Sequence, residues 1–311
     1  VFELLSQKGA RTVAELAVDT QLEHRPMKMV VANLSALGLL ERCGAAFDNT
    51  PLARRFLLGS SEHTAVHVIR WQARIVYPGI QDYVRALREN RNVGLDRLPG
   101  MGDTLYQRLV QHPELEEIFQ DAMASMPSNR FLADHIPLEG LRLLCDCGGG
   151  NGRNAIDLVR RHSGLRATVF DQPTICAKAR ERIATSGLAD RVSTHEGNFL
   201  VDPFPSGIDA VLYSHIAPIW SKETNISVFR RAREALAFGG RFFIYNMVAD
   251  DDQAGPLSVT CGSVYFHALA TGQGFMHSQS EYQAMLVEAG FGRVHTVSGL
   301  PVSHSLVIGT K

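Results

Sequence analysis

A chain of 311 residues, 45% hydrophobic and 20% charged, has the material for one large domain or two ordinary ones with buried cores. Its 31 basic and 32 acidic residues leave a net charge of −1, so nothing electrostatic points to a nucleic acid or an anionic membrane. No apolar run approaches the roughly 18 residues that span a bilayer. No signal peptide is visible, and Cys43, Cys145, Cys147, Cys176 and Cys261 follow no zinc-finger spacing, so a reduced, cytoplasmic protein is expected.

The first 60 residues read as short helices and a hairpin. Thr12 can cap a helix through Val13–Ala17, with Glu15 as its capping-box partner. A second helix is expected from about Pro26 to Leu40, where Met27, Val30, Val31, Leu34 and Leu37 keep a spacing of three and four. Leu39–Arg42 and Phe47–Thr50 flank Gly44 as two strands around a turn. Helix, turn, helix and hairpin make a winged-helix pattern. Seven basic and six acidic residues give that segment no basic face, so packing or dimerisation is expected and DNA binding is not.

Residues 61 to about 136 read as helical, with breaks at Pro78-Gly79 and Pro99-Gly100. Tyr106, Phe119 and Met123 fall in a stripe there that is either core or a lid over a substrate. From Leu141 onward apolar runs alternate with amphipathic helices, the texture of a mainly parallel, doubly wound α/β sheet. The expected boundaries are 1–75, 76–136 and 137–311.

The chemistry sits at three strand ends. After the first strand comes Asp146-Cys147-Gly148-Gly149-Gly150-Asn151-Gly152, an acidic-x-Gly-x-Gly-x-Gly loop whose backbone can lie against a ligand. Arg153 stands where a dehydrogenase fingerprint wants its third glycine. The second strand ends at Asp171-Gln172, 25 residues after Asp146, where a carboxylate can accept two ribose hydroxyls. In the third, Asn198 carries an amide able to read an adenine edge and Phe199 a ring able to flank it.

These segments resemble the class I S-adenosylmethionine-dependent methyltransferases, and among them the caffeate- and hydroxyindole-type O-methyltransferase family. Phe170-Asp171-Gln172-Pro173 is similar to that family's ribose motif, and Gly197-Asn198-Phe199 to its Gly-Asp-Phe adenine motif, with Asn in place of Asp. Arg233–Arg241 and Ser278–Phe291 resemble its late helices. The resemblance implies a Rossmann-like catalytic domain behind a winged-helix dimerisation domain, a homodimer, S-adenosyl-L-methionine as cofactor and a small-molecule acceptor. It assigns the cofactor to Asp146, Gly148, Gly150, Asn151, Gly152, Asp171, Gln172, Asn198, Phe199 and Ser214.

The resemblance fails at the base. The family places a His before Asp-Trp-Ser after the fourth strand; aligning Trp220-Ser221 puts Pro218 there, and proline takes no proton. His215 is the nearest substitute, either as base or as a histidine bonded to backbone or cofactor. His267, on a helix that lines the family's acceptor pocket, is a second candidate. If His267 faces His215, the pair could hold a metal with an oxygen from Asn246 or Asp250, but without a clear third ligand no metal is expected. The expected acceptor contacts are Tyr106, Phe119, Met123, Trp220, Asn246, Phe266 and His267, which suit a partly apolar, aromatic or enolisable molecule of specialised metabolism. O-methylation is the family default. Carbon methylation is the alternative that the missing base favours, and a cofactor-binding cyclase or hydroxylase is a third reading.

Overall fold

A computed structural model of the chain describes residues 1–126 and 129–311, the side chains of 129 and 130 excepted. It divides into two compact units. The first holds Val1–Ala73 and Asp121–Met126; the second holds Arg74–Gln120 and the remaining described residues.

The first unit follows the pattern, except that the second helix ends at Ala36 and Leu40 opens a strand instead. Thr12 and Glu15 form a reciprocal capping box at the start of the helix Val13–Thr20, satisfying two backbone donors at once. The helix His24–Ala36 follows, then the hairpin of β1 (Leu40–Cys43) and β2 (Ala46–Asn49). A bridge from Arg11 to Phe47 adds a third, one-residue rung to the wing. Leu5, Leu16, Met27, Val31 and Leu40 close the core beneath it.

In the second unit the helical approach departs from the expected break. The π-helical turn Gln72–Val76 runs directly into the helix Tyr77–Ile80, so Pro78-Gly79 does not end the helix. Pro78 stands just past the π-turn in continuous helix, where it donates no helical hydrogen bond. Gly79 instead serves packing: a side chain there would run into Leu269. Gly94 lies closer still, against the carbonyl oxygens of Gly79 and Ala268. Backbone cannot retreat as a side chain can, so Gly94→Ala will lower stability by about 1–3 kcal/mol in denaturant unfolding. A wild-type midpoint would refute that packing argument.

The second unit carries a seven-stranded sheet, with β3 (Leu143–Cys147), β4 (Arg166–Asp171), β5 (Val192–Glu196), β6 (Ile208–Ser214), β7 (Leu236–Met247), β8 (Arg293–Leu300) and β9 (His304–Thr310) in the order β5-β4-β3-β6-β7-β9-β8. The first five are parallel, and β9 runs antiparallel to both neighbours. Strand alternation sorts the core into two layers. Leu144, Val169, Leu212, Phe243 and Leu306 face the helices Arg153–Arg161 and Pro173–Ser186. Cys145, Phe170, Val211, Phe242 and Val307 face Lys222–Ala235 and Gln279–Glu288. The order reverses between β3 and β6, and in such sheets the crevice at the carboxyl ends beside that reversal is where ligands bind.

Candidate active site

The glycine loop leaves β3 at that reversal. Gly148, Gly150 and Gly152 take left-handed φ of 69°, 57° and 78°, which L side chains rarely adopt. The loop bends back over β4: Gly148 N–H donates to the Phe170 carbonyl at 2.8 Å and Gly150 N–H to Asp171 Oδ2 at 2.9 Å. Asp171 Oδ1 accepts the Gln172 N–H at 2.8 Å, so this carboxylate ties the loop to the start of the next helix. Each oxygen keeps a lone pair for a ligand hydroxyl.

Asp146 is 1% exposed under the loop. The Ala155 N–H donates to it, yet its Oδ2 has no partner. Desolvation first, and the Asp171 charge second, push it up to about 7. Ser214, at the end of β6, has an equally unpartnered buried hydroxyl. A side chain built at Gly150 would meet open space. Two orphaned buried polar atoms, a carboxylate at the β4 end and a bare-backbone loop fit a ribose-bearing cationic cofactor. Phe199 packs edge-on to Tyr213 and reaches the Gly148 side of the loop, as a ring flanking adenine would. Asn198 is exposed, and its Oδ1 accepts from the Leu200 N–H at 3.0 Å, which fixes the amide while leaving its NH2 and one lone pair to read a base edge. Asn151 Oδ1 caps the Arg153 N–H, and Gln172 stands exposed at the helix N-cap.

A second wall is built around the turn Ala217–Ile219. Asn225 anchors it from below: its amide donates to the Ala217 and Trp220 carbonyls and accepts from Tyr213 Oη. Pro218 is buried in that turn, and Trp220 directs an unpartnered buried indole N–H from its edge. Thr271 Oγ1 binds the Ile219 carbonyl, fixing the π-helical turn Phe266–Ala270 against it. Short π-turns inside helices cluster at functional sites. Just before it, Tyr265 is buried, as is Tyr106, and burial pushes both phenols well up, so both stay neutral. Tyr106 also packs edge-on to Phe119 at 5.9 Å. Met123 belongs to the first unit.

The two candidate histidines have separate partners. His267 Nε2 meets the Ala86 carbonyl at 3.2 Å. His215 lies against Tyr245 and His304, with ring centroids at 5.5 and 5.1 Å. Among the described residues no group of three or more His, Cys, Asp or Glu is arranged to hold a metal. Asn246 is buried on the opposite face of β7 with its amide unpartnered at both ends. His277 is buried, packed on Phe275 and Tyr282. Sequence reasoning missed His304 and the β8–β9 hairpin; the apolar, β-branched run Leu306–Ile308 was the available signal.

Fold and site together define a class I methyltransferase. Residues 77–292 match the O-methyltransferase domain family, and the chain belongs to it. It is 31% identical to an L-tyrosine C(3)-methyltransferase of Streptomyces lavendulae, over all of this chain and 86% of that protein. It is also 31% identical to a 3-hydroxy-5-methyl-1-naphthoate 3-O-methyltransferase of Streptomyces sahachiroi, over all of this chain and 88% of that one. Among solved structures it is similar to the S-adenosylmethionine-dependent methyltransferase SibL in its apo form, with 34% identity, a TM-score of 0.80, and 100% and 92% of the two chains covered. The chain is thus an S-adenosylmethionine-dependent methyltransferase of small molecules. No helix among the described residues is long and apolar enough to cross a membrane.

When bound, the cofactor supplies a methyl group on a cationic sulfur. Asp146, Asp171 and Ser214 would hold it, and the cation favours the ionised form of Asp146. That residue titrates at about 7 in the free protein, so binding releases its proton. Affinity for S-adenosylmethionine will therefore rise as pH climbs towards about 7, by at most about tenfold per unit, and level off above it. Calorimetry in buffers of different ionisation enthalpy checks this; no proton release and a flat affinity would show that Asp146 does not face the cofactor.

Proposed function

We propose that the enzyme methylates a ring carbon of a small phenol. The observation that carries this reading is the missing family base: Pro218 stands in its place, and the neighbouring His215 ring is packed on Tyr245 and His304. Burial, followed by the neighbouring His304, pushes His215 down to about 3. A phenol of ordinary pKa near 10 lies about seven units above such an imidazole, a poor match for removing its proton. Methylation at a ring carbon ortho to the hydroxyl makes a far more acidic C–H, which a weakly basic neutral imidazole accepts readily. The tyrosine C(3)-methyltransferase among the relatives supports the same reading.

Residue roles follow. His215 receives the ring proton. The neutral phenols of Tyr106 and Tyr265 supply polar groups beside the acceptor. Phe119, Phe266 and Trp220 supply apolar wall, Trp220 with a free N–H, and His267 sets the π-turn through Ala86. The family's homodimer is supported by Val18, Met29 and Leu37, large apolar residues exposed on the first unit. Five free thiols suit the cytoplasm.

The test is incubation with L-tyrosine and 13C-methyl S-adenosylmethionine. A C-methyl carbon resonance on the ring is expected. An O-methyl resonance would overturn the carbon reading and support the second one, O-methylation, which the naphthoate relative favours.

A further inference from the structure

Strand arithmetic gathers five polar side chains at one place. Two residues beyond Leu144, Val169, Leu212 and Phe243, each on one face of the sheet, stand Asp146, Asp171, Ser214 and Tyr245. Strand β9 runs the other way, so the residue at the same end is two before Leu306, which is His304. Its imidazole therefore shares a face and an end with the cofactor residues, although it lies 89 residues beyond His215.

The chain holds that ring in an unusual way. His304 is 1% exposed and stacks on Tyr245 at 4.8 Å. Its Nδ1 meets the Val302 carbonyl at 2.7 Å and the Pro301 carbonyl at 3.2 Å. Carbonyls only accept, so Nδ1 carries the proton and Nε2 a lone pair. That Nε2 is buried without a partner. The turn presenting it has two consecutive non-glycine residues in left-handed backbone, Val302 at φ 59° and Ser303 at φ 56°. His215 is left-handed too, at φ 59°. Strict alternation would send His215 to the opposite face from Ser214; the left-handed turn brings its ring to His304 at 5.1 Å. A β-branched residue at positive φ is a genuine outlier, and strain of this kind persists where the surroundings impose it.

We propose that His304 is the positioning residue for His215, its Nε2 lone pair accepting a hydrogen bond from the His215 imidazolium as that ring takes the proton released by methyl transfer. The step balances. The ring carbon bonds the methyl group, and the methyl–sulfur bond breaks with its electron pair on sulfur. The C–H proton then passes to one nitrogen of His215 while the N–H on the other turns to His304. A neutral base oriented by a third group is the general logic of activated side-chain bases. Burial lowers both rings, so neither enters the reaction already protonated.

The inference rests on the carbon-methylation reading, and its test separates the two. With L-tyrosine as acceptor, His304→Phe keeps the ring stacked on Tyr245 and removes the lone pair. A loss of about 100-fold in kcat is expected, with S-adenosylhomocysteine affinity unchanged, a lower Tm because the Pro301 and Val302 carbonyls lose their donor, and partial rescue of kcat in His304→Gln. Ring-deuterated L-tyrosine should then show a primary isotope effect absent from the wild type, because proton loss has become slow. A merely structural role would not produce that effect, and its absence from a folded variant overturns the proposal. If the wild type gives an O-methyl product or none, the carbon reading has failed, and nitrogen NMR of the unmodified protein decides separately: His304 must show a protonated Nδ1 and a bare Nε2. A protonated Nε2 overturns the proposal whatever the substrate and whether or not the variants fold.

Discussion

Asp171→Ala will weaken S-adenosylhomocysteine binding by about 10- to 150-fold, the equivalent of about 1.5–3 kcal/mol for hydrogen bonds to a charged group. Two losses combine. The ribose hydroxyls lose their acceptor, and the Gly150 N–H loses the carboxylate that now curls the glycine loop over β4. Asp171→Asn should fall between the two proteins, since an amide oxygen can still accept from Gly150 but carries no charge. Calorimetric titration reads the affinity and thermal unfolding reads the fold. A lower Tm with unchanged affinity would show that Asp171 only joins the loop to the helix through Gln172.

That prediction could be framed from the sequence because its parts are local. Glycines at fixed spacing force the left-handed turns at 148, 150 and 152, and an acid at the end of an apolar run falls at a strand end. The winged helix was legible for the same reason: Thr12, Glu15 and the three-and-four spacing act within a turn or two. The acceptor side was not legible, because it is assembled over long separations. His304 reaches the site only through the pairing of Met247 with His304 across an antiparallel strand that the βα rhythm does not announce. The π-turns at 72–76 and 266–270 leave no mark on a hydrophobic pattern, and the first of them carries the chain through Pro78 where a helix break is expected. Likewise, facing His267 and His215 across a cavity was a guess about side-chain direction; the Ala86 carbonyl takes one ring and His304 the other.

His215→Gln should separate chemistry from binding. Glutamine keeps a polar side chain at the end of β6 but cannot take a proton at neutral pH, so kcat should fall about 100-fold with S-adenosylhomocysteine affinity retained. Retained turnover would remove His215 from proton handling. The same substitution has a signature in stability. The folded protein holds His215 at about 3, against 6.5 when exposed. Between those values the unfolded chain binds the extra proton, so this residue's contribution is fully present above about pH 6.5 and is lost as pH falls below it. At 1.36 kcal/mol per unit, wild type should lose about 2 kcal/mol relative to His215→Gln between about pH 6.5 and pH 5. Asp146 acts with the opposite sign: its pKa is raised to about 7, so its burial costs most above that pH. Both proteins carry Asp146, so the difference between their pH–stability curves isolates the histidine. Parallel curves would mean that water reaches the His215 ring and keeps it near its ordinary basicity. A phenol O–H would then be a better match for it, and the case for carbon as the methylated atom would lose its footing.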